Sequence, residues 1–234
     1  MNIQNKTILI TGGARIGQTV AEELQHAGAT VIMTYLKSPD EALAGVTAYP
    51  ADLTQETSID ELLKTVETNH GAIDGLVNMA SIFSKDPASP ALADFQKSFA
   101  IMFGNMLLSR RFAEAARERD AKAAPIVSFI DWAVDHPYAG YDMYLAGKAA
   151  LRHYLMALQT SFAGSIRVVN IHPGMILEPA NFSADEKEKI IANTPTHSIG
   201  DPQQAARLVR TALENDFLAD NIHLDGGQSW RHRL

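Results

Sequence analysis

The stretch Thr7-Ile8-Leu9-Ile10-Thr11-Gly12-Gly13-Ala14-Arg15-Ile16-Gly17 reads as a short apolar strand running into a glycine-rich turn and then a helix. In that order a turn holds a pyrophosphate against a helix N-terminus. Glycines let the backbone approach the phosphates, and Gly17 is expected to let the helix pack against the strand. A Gly-Gly turn before a helix also serves as a plain connection, so the reading depends on what surrounds it.

Outward from this turn, β-branched runs alternate with stretches whose apolar residues recur at helical spacing. Strands are expected at Thr7–Ile10, Thr30–Thr34, Thr47–Pro50, Gly75–Asn78, Ile126–Ile130, Arg167–Ile171 and Ile222–Leu224. Helices are expected over Ile16–Ala27, Ser58–Asn69, Pro90–Arg119, Met143–Ala163 and Asp201–Asn215. The alternation predicts an α/β chain, a doubly wound, seven-stranded parallel sheet of the Rossmann type with helices on both faces. No repeat, low-complexity tract or Pro/Ser linker divides residues 1–234, a length that suits one domain of this kind. The irregular stretch Met175–Ile199 holds Pro179, Pro195 and the charged run Asp185–Lys189. It reads as a short helix or mobile loop acting as a substrate lid.

Hydrophobic residues at 46% and charged residues at 20% are enough for a core without covalent staples. The net charge of -7 argues against a nucleic-acid partner, whose backbone is held by clustered Lys and Arg. The absence of cysteine excludes disulfides, zinc-thiolate sites and a thiol nucleophile. The eight histidines show no metal-ligand spacing, so no metal is expected. Met1–Lys6 is polar and the run Thr7–Ile10 is too short for a signal or membrane segment. The expectation is a cytoplasmic enzyme with no membrane partner.

The second strand ends in Thr34-Tyr35-Leu36-Lys37-Ser38, with no acid to hold the adenosine ribose hydroxyls, which predicts NADP(H). Arg15 and Lys37 then neutralise the 2′-phosphate, and Ser38 hydrogen-bonds to it. Read otherwise, Lys37 is a solvated surface lysine and no cofactor preference follows. Asp52, in Ala51-Asp52-Leu53-Thr54, accepts from the adenine amino group or caps the next helix. Asn78-Met79-Ala80-Ser81 ends the fourth strand, where an amide and small residues line a cofactor cleft, although Asn is also a turn former. Tyr144-Leu145-Ala146-Gly147-Lys148 sets a phenol and an ammonium four residues apart on one helix face. There Lys148 is expected to lower the phenol pKa and to hold the nicotinamide ribose.

Taken together, Thr11-Gly12…Gly17, Asp52, Asn78-x-Ala80, Tyr144-x-x-x-Lys148, Pro173-Gly174 and Asp225-Gly226-Gly227 resemble the short-chain dehydrogenase/reductase family along the whole chain. The resemblance implies a doubly wound fold and a tyrosine proton donor assisted by lysine. It also implies cofactor contacts at Gly12, Ile16, Gly17, Leu53, Asn78, Ala80, Pro173 and Gly174. A homotetramer or homodimer is implied as well, with Pro90–Arg119 and Met143–Ala163 as the usual interface.

Thirteen residues before the tyrosine, where most of that family has a serine, this chain has Asp131. An ionised carboxylate cannot donate to a carbonyl oxygen. It can accept from an N–H, share a proton with Tyr144 or orient a water, which suits reduction of a C=N bond. Aspartate here resembles the pteridine reductase branch, dihydromonapterin reductases included. So do Arg15 in place of the turn's middle glycine, Tyr35-Leu36-Lys37-Ser38, and Asn78-Met79-Ala80-Ser81-Ile82-Phe83, whose ring implies a stacking platform for a pterin. Phe83 otherwise merely plugs the loop.

Two features depart from the branch. The phosphate turn is one residue short, and the family's helix asparagine falls at either Gly104 or Asn105. Trp132 and His136 flank the site, His136 as a loop residue. The expected function is NADPH-dependent reduction of a dihydropterin such as dihydromonapterin or dihydrobiopterin, or of dihydrofolate. Asp131, Tyr144 and Lys148 would be catalytic, and Ser81 and Arg15 would hold the pterin's polar edge. The alternatives are a carbonyl reductase for a sugar, acyl or ketone substrate, and a non-catalytic NADP-sensing module.

Overall fold

A computed structural model describes residues 1–37, 44–178 and 183–231. Ser38 and Pro179 fall outside the described residues. The chain builds β1 (Thr7–Thr11), α1 (Ile16–His26), β2 (Thr30–Tyr35), β3 (Thr47–Pro50), α2 (Glu56–His70), β4 (Gly75–Asn78) and α3 (Leu92–Glu118). It continues with β5 (Ala124–Phe129), a 3₁₀ turn at Trp132–Val134, α4 (Asp142–Ser161), β6 (Ile166–Pro173), α5 (Ala184–Asn193), α6 (Pro202–Glu214), β7 (Asn221–Leu224) and α7 (Gln228–Arg231).

All seven strands run parallel in the order β3-β2-β1-β4-β5-β6-β7, the doubly wound arrangement expected. Because the inner strands are covered on both faces, β1 is a continuous apolar run, buried throughout. Period-two alternation divides it between two cores. Ile8 and Ile10 pack with Val20 and Leu24 of α1 and Val209 and Leu213 of α6. Leu9 faces the opposite layer, where Ile59 and Leu62 of α2, Phe112 of α3 and Leu155 of α4 close over the sheet.

Chain direction across the sheet reverses between β1 and β4, and the cleft opens at the carboxyl ends of these strands. β6 runs two residues beyond its expected end because β7 continues the ladder, pairing His172 with His223 and Pro173 with Leu224. Within the Met175–Ile199 stretch the short helix is α5. Asp201 caps α6 by accepting from the Gln203 N–H at 3.0 Å, with Pro202 in the first turn. Among the described residues no helix is long and apolar enough to cross a membrane.

Candidate active site

A cleft of about 1640 Å³ runs along the carboxyl edge of the sheet, from Arg15 and Lys37 at one end to Asp131 and Tyr144 at the other. Gly12, Ile16, Gly17, Leu53, Ala80, Pro173 and Gly174 all line it. The glycine turn is a cradle that side chains would fill. Gly12 sits at φ +77, and a Cβ there would lie 2.7 Å from Ala80 N. At Gly13 a Cβ would lie 2.6 Å from Met33 Cε. Gly17 serves the turn rather than strand packing, since its Cβ would meet Gly12 O at 2.4 Å. These residues fit a dinucleotide.

The shortened turn is closed by Arg15 itself, held at φ 55, ψ -114, a region that side-chain-bearing residues avoid. Its guanidinium donates to Glu178 O at 3.0 Å, tying the turn to the segment that leads toward α5. The Glu178 carboxylate in turn pairs with Lys187 on α5 at 2.5 Å. Lys37 lines the cleft and, among the described residues, makes no ion pair. Asp52 lines the cleft too, with its Oδ1 closing a turn on the Thr54 N–H and hydroxyl at 2.9 and 2.7 Å. The helix-cap reading of Asp52 is set aside, because the cap position of α2 is Gln55.

Two expectations need correction. Asn78 does not line the cleft: strand alternation turns its side chain toward α3, where Nδ2 donates to Ser109 Oγ at 2.8 Å and Oδ1 is buried with no partner among the described residues. Lys148 is buried as well, and its Nζ donates to Phe129 O at 2.6 Å rather than facing the cleft. Of the two positions the sequence offered for the helix asparagine, Asn105 is buried on α3, where its Nδ2 donates to Ala80 O at 3.0 Å and Ile101 O at 2.9 Å. Gly104 is instead a contact glycine. A Cβ there would lie 1.8 Å from Leu53 O.

At the catalytic end, β5 delivers Asp131 and the first turns of α4 deliver Tyr144. The Tyr144 hydroxyl donates to Asp131 Oδ2 at 3.0 Å, while Asp131 Oδ1 accepts from the Ala133 N–H at 2.9 Å. Burial raises the Asp131 pKa, opposed by its hydrogen bonds from Ala133 and Tyr144 and by the Lys148 charge. Burial, then the Asp131 charge, hold the Tyr144 phenol well above its ordinary value, while a hydrogen bond from Ser81 acts in the lowering direction. This reverses the expectation that Lys148 lowers the phenol: the ammonium lies 5.9 Å from the ring centroid, and burial and the nearer carboxylate prevail. Burial pulls Lys148 itself down to about 8, against the pull of Asp131. Tyr144 is therefore an O–H donor at neutral pH.

An aromatic wall adjoins this pair. Phe83 stacks on Tyr141 with centroids 4.5 Å apart and planes at 13°, and meets Tyr144 edge-on at 5.0 Å. Tyr138 packs against Tyr141 at 5.4 Å and Trp132 at 6.3 Å. One face of Phe83 is thus taken by Tyr141, a partner the sequence did not disclose. Asp86 stitches the Phe83 loop to the start of α4: its Oδ2 accepts from the Asp142 N–H at 2.6 Å, and its N–H donates to Gly140 O at 2.9 Å.

Behind Asp131, His172 Nδ1 lies 3.1 Å from the Asp131 carbonyl oxygen. Asp135, His172 and His223 bring ligand-type atoms within 4.8 Å of one another, a grouping that sequence spacing hid because strand register creates it. The Asp135 carboxylate is paired with Arg152 at 2.8 Å, and both ring nitrogens of His172 have hydrogen-bond partners.

Comparison with known proteins places these features in context. The family model for short chain dehydrogenases matches residues 6–189. The chain is 27% identical over 249 residues to 3-hydroxyacyl-CoA dehydrogenase type-2 of Bos taurus, covering 96% of this chain and 95% of that one. Among solved structures it is similar to FolM alternative dihydrofolate reductase 1 from Brucella suis in complex with NADP, with TM-score 0.88 and 28% identity over 97% of this chain and 96% of that one. It is equally similar in fold to a short chain dehydrogenase from Leptospira borgpetersenii with bound NAD+, with TM-score 0.88 and 25% identity over 97% and 94% of the two chains.

Proposed function

Because the chain belongs to the short chain dehydrogenase family, and is an oxidoreductase, we propose that it uses NADPH to reduce the C=N bond of a pterin. The observation that carries this reading is the Tyr144–Asp131 hydrogen bond at 3.0 Å beside the aromatic wall. A carboxylate beside the proton donor suits a substrate that presents a ring N–H, and flat rings suit a planar heterocycle. The Brucella structure similar to this chain is described as a dihydrofolate reductase in complex with NADP, which supports the same class.

When bound, the nicotinamide supplies the hydride. Gly12, Gly13 and Gly17 leave room for the pyrophosphate, while Arg15 and Lys37 offer positive charge at the adenosine end of the cleft. Tyr144, kept protonated by its surroundings, gives a proton to the substrate nitrogen. Asp131, which accepts the Tyr144 hydroxyl in the free protein, accepts the substrate N–H once that proton turns to the substrate nitrogen. Ser81, which also lines the cleft, acts on the phenol in the lowering direction. Lys148, anchored on Phe129 O, adds positive potential behind both. Self-association belongs to the same proposal: α3 exposes Leu92, Phe95 and Phe103, an apolar ridge suited to a second copy of the chain.

Following NADPH oxidation with dihydrobiopterin, dihydrofolate and a simple ketone, each repeated with NADH, tests substrate and cofactor together. Turnover of a pterin with NADPH is the expected result. Turnover of the ketone alone would favour the second reading, a carbonyl reductase, which the bovine hydroxyacyl-CoA dehydrogenase relative supports.

A further inference from the structure

Asp225-Gly226-Gly227 and the residue after it have no part in the chemistry described above, yet they pack against the segment that follows α5. Asp225 closes the turn by accepting from the Gly227 and Ser229 N–H groups at 2.9 and 2.8 Å. Both glycines lie at positive φ against the end of α5. A Cβ on Gly226 would meet Thr196 Oγ1 at 2.5 Å, and one on Gly227 would meet Pro195 at 3.2 Å. The next residue, Gln228, is 8% exposed and lines both the main cleft and a smaller cavity of about 480 Å³ shared with Thr194, Thr196 and Ile199.

The two ends of the Gln228 amide are used unequally. Nε2 donates to Thr194 Oγ1 at 3.0 Å, directly after α5, and Thr194 Oγ1 donates onward to Ile190 O at 2.8 Å. Ile190 and Asn193 of that helix line the main cleft, so the bond fixes how α5 sits over it. Oε1 is buried and, among the described residues, has no partner. It lies against Gly174, where any Cβ would come within 2.6 Å of it, at the end of β6 where Pro173 and Gly174 enter the cleft. A buried acceptor left empty is destabilising and calls for a donor.

We infer that Gln228 is a positioning residue, its Nε2 pinning the base of α5 and its Oε1 accepting the carboxamide N–H of the nicotinamide. The carboxamide is the donor chosen because Gln228 sits beside β6. The aromatic wall that suits the substrate is built by the β4 loop, the 3₁₀ turn and α4. The inference rests on the nicotinamide cofactor of the preceding section and is independent of the substrate.

The test compares Gln228→Met and Thr194→Val with the wild-type chain, without turnover. Dissociation constants are measured for NADPH and for 2′-phospho-ADP-ribose, which lacks the nicotinamide, and hydrogen exchange is followed in α5 of the free protein. In Gln228→Met the NADPH constant should rise about three- to tenfold, the loss expected for one neutral hydrogen bond, while that for 2′-phospho-ADP-ribose stays unchanged. Both variants should speed exchange in α5, and Thr194→Val should leave the NADPH selectivity intact. An equal shift for both ligands, no shift for either, or unaltered exchange in α5 would overturn the assignment. Failure of the wild-type chain to bind either ligand would defeat the cofactor reading, and this assignment with it.

Discussion

The Tyr144 hydroxyl and Asp131 Oδ2, 3.0 Å apart, form a donor–acceptor pair in which the phenol gives and the carboxylate receives. A serine at 131 would reverse the polarity toward a substrate, since a hydroxyl can donate to a carbonyl oxygen. Asp131→Ser is therefore expected to lower kcat for a dihydropterin by about 10²- to 10⁴-fold, the usual range for a lost acid–base group, and to improve turnover of a simple ketone. Steady-state kinetics on both substrates checks this. Unchanged pterin turnover with better ketone reduction would sink the pterin mechanism.

Lys148 supplies a stability signal. Burial holds its folded value at about 8, below the unfolded value of about 10.4. Between the two, the unfolded chain binds more protons than the folded one, so stability rises as pH climbs from about 8 toward 10. The penalty is complete below pH 8 and amounts to about 3 kcal/mol. Urea unfolding across this window should show a rising slope in the wild-type chain that is missing in Lys148→Met. Parallel slopes would reject the assignment.

Arg15 combines strain with charge. Replacing it by glycine removes the side-chain penalty at φ 55, ψ -114, worth about 1–3 kcal/mol, less about 0.5–1 kcal/mol for the freer unfolded chain. Arg15→Gly is expected to raise Tm by a few degrees while weakening NADPH binding about tenfold, the loss of a charged hydrogen bond. Calorimetry and cofactor titration read the two effects separately. A lower Tm would show that the bond to Glu178 outweighs the strain.

Gly104 tests the packing of α3 against the loop after β3. An alanine there would place its Cβ 1.8 Å from Leu53 O, a clash with backbone that no rotamer relieves. Gly104→Ala should cost about 3 kcal/mol or more, seen as a shift in the urea midpoint. A change under 1 kcal/mol would mean that the helix moves away freely.

The strands were legible because inner parallel strands are unbroken apolar runs, as β1, β4 and β5 are. The Tyr144–Lys148 spacing was legible because helical geometry puts both on one face. What remained hidden depends on neighbours distant in sequence. Alternation alone does not say which layer Asn78 meets, and it meets Ser109 of α3. The need for glycine at 104 comes from the close approach of Leu53, far away in sequence and unmarked by any local pattern. Gln228 and His172 escaped notice because a lone amide or imidazole carries no pattern, and their partners, Thr194 and Asp131, come from other segments.

Asp86 joins the loop that carries Phe83 to the start of the helix that carries Tyr144, through a carboxylate on the Asp142 N–H and a backbone bond to Gly140. Insertions between Ser81 and Ala91 would therefore displace the proton donor along with the aromatic platform. The described residues of the stretch 175–199 show no such tie to Tyr144. New substrate preferences should evolve, and be engineered, by rewriting that stretch first.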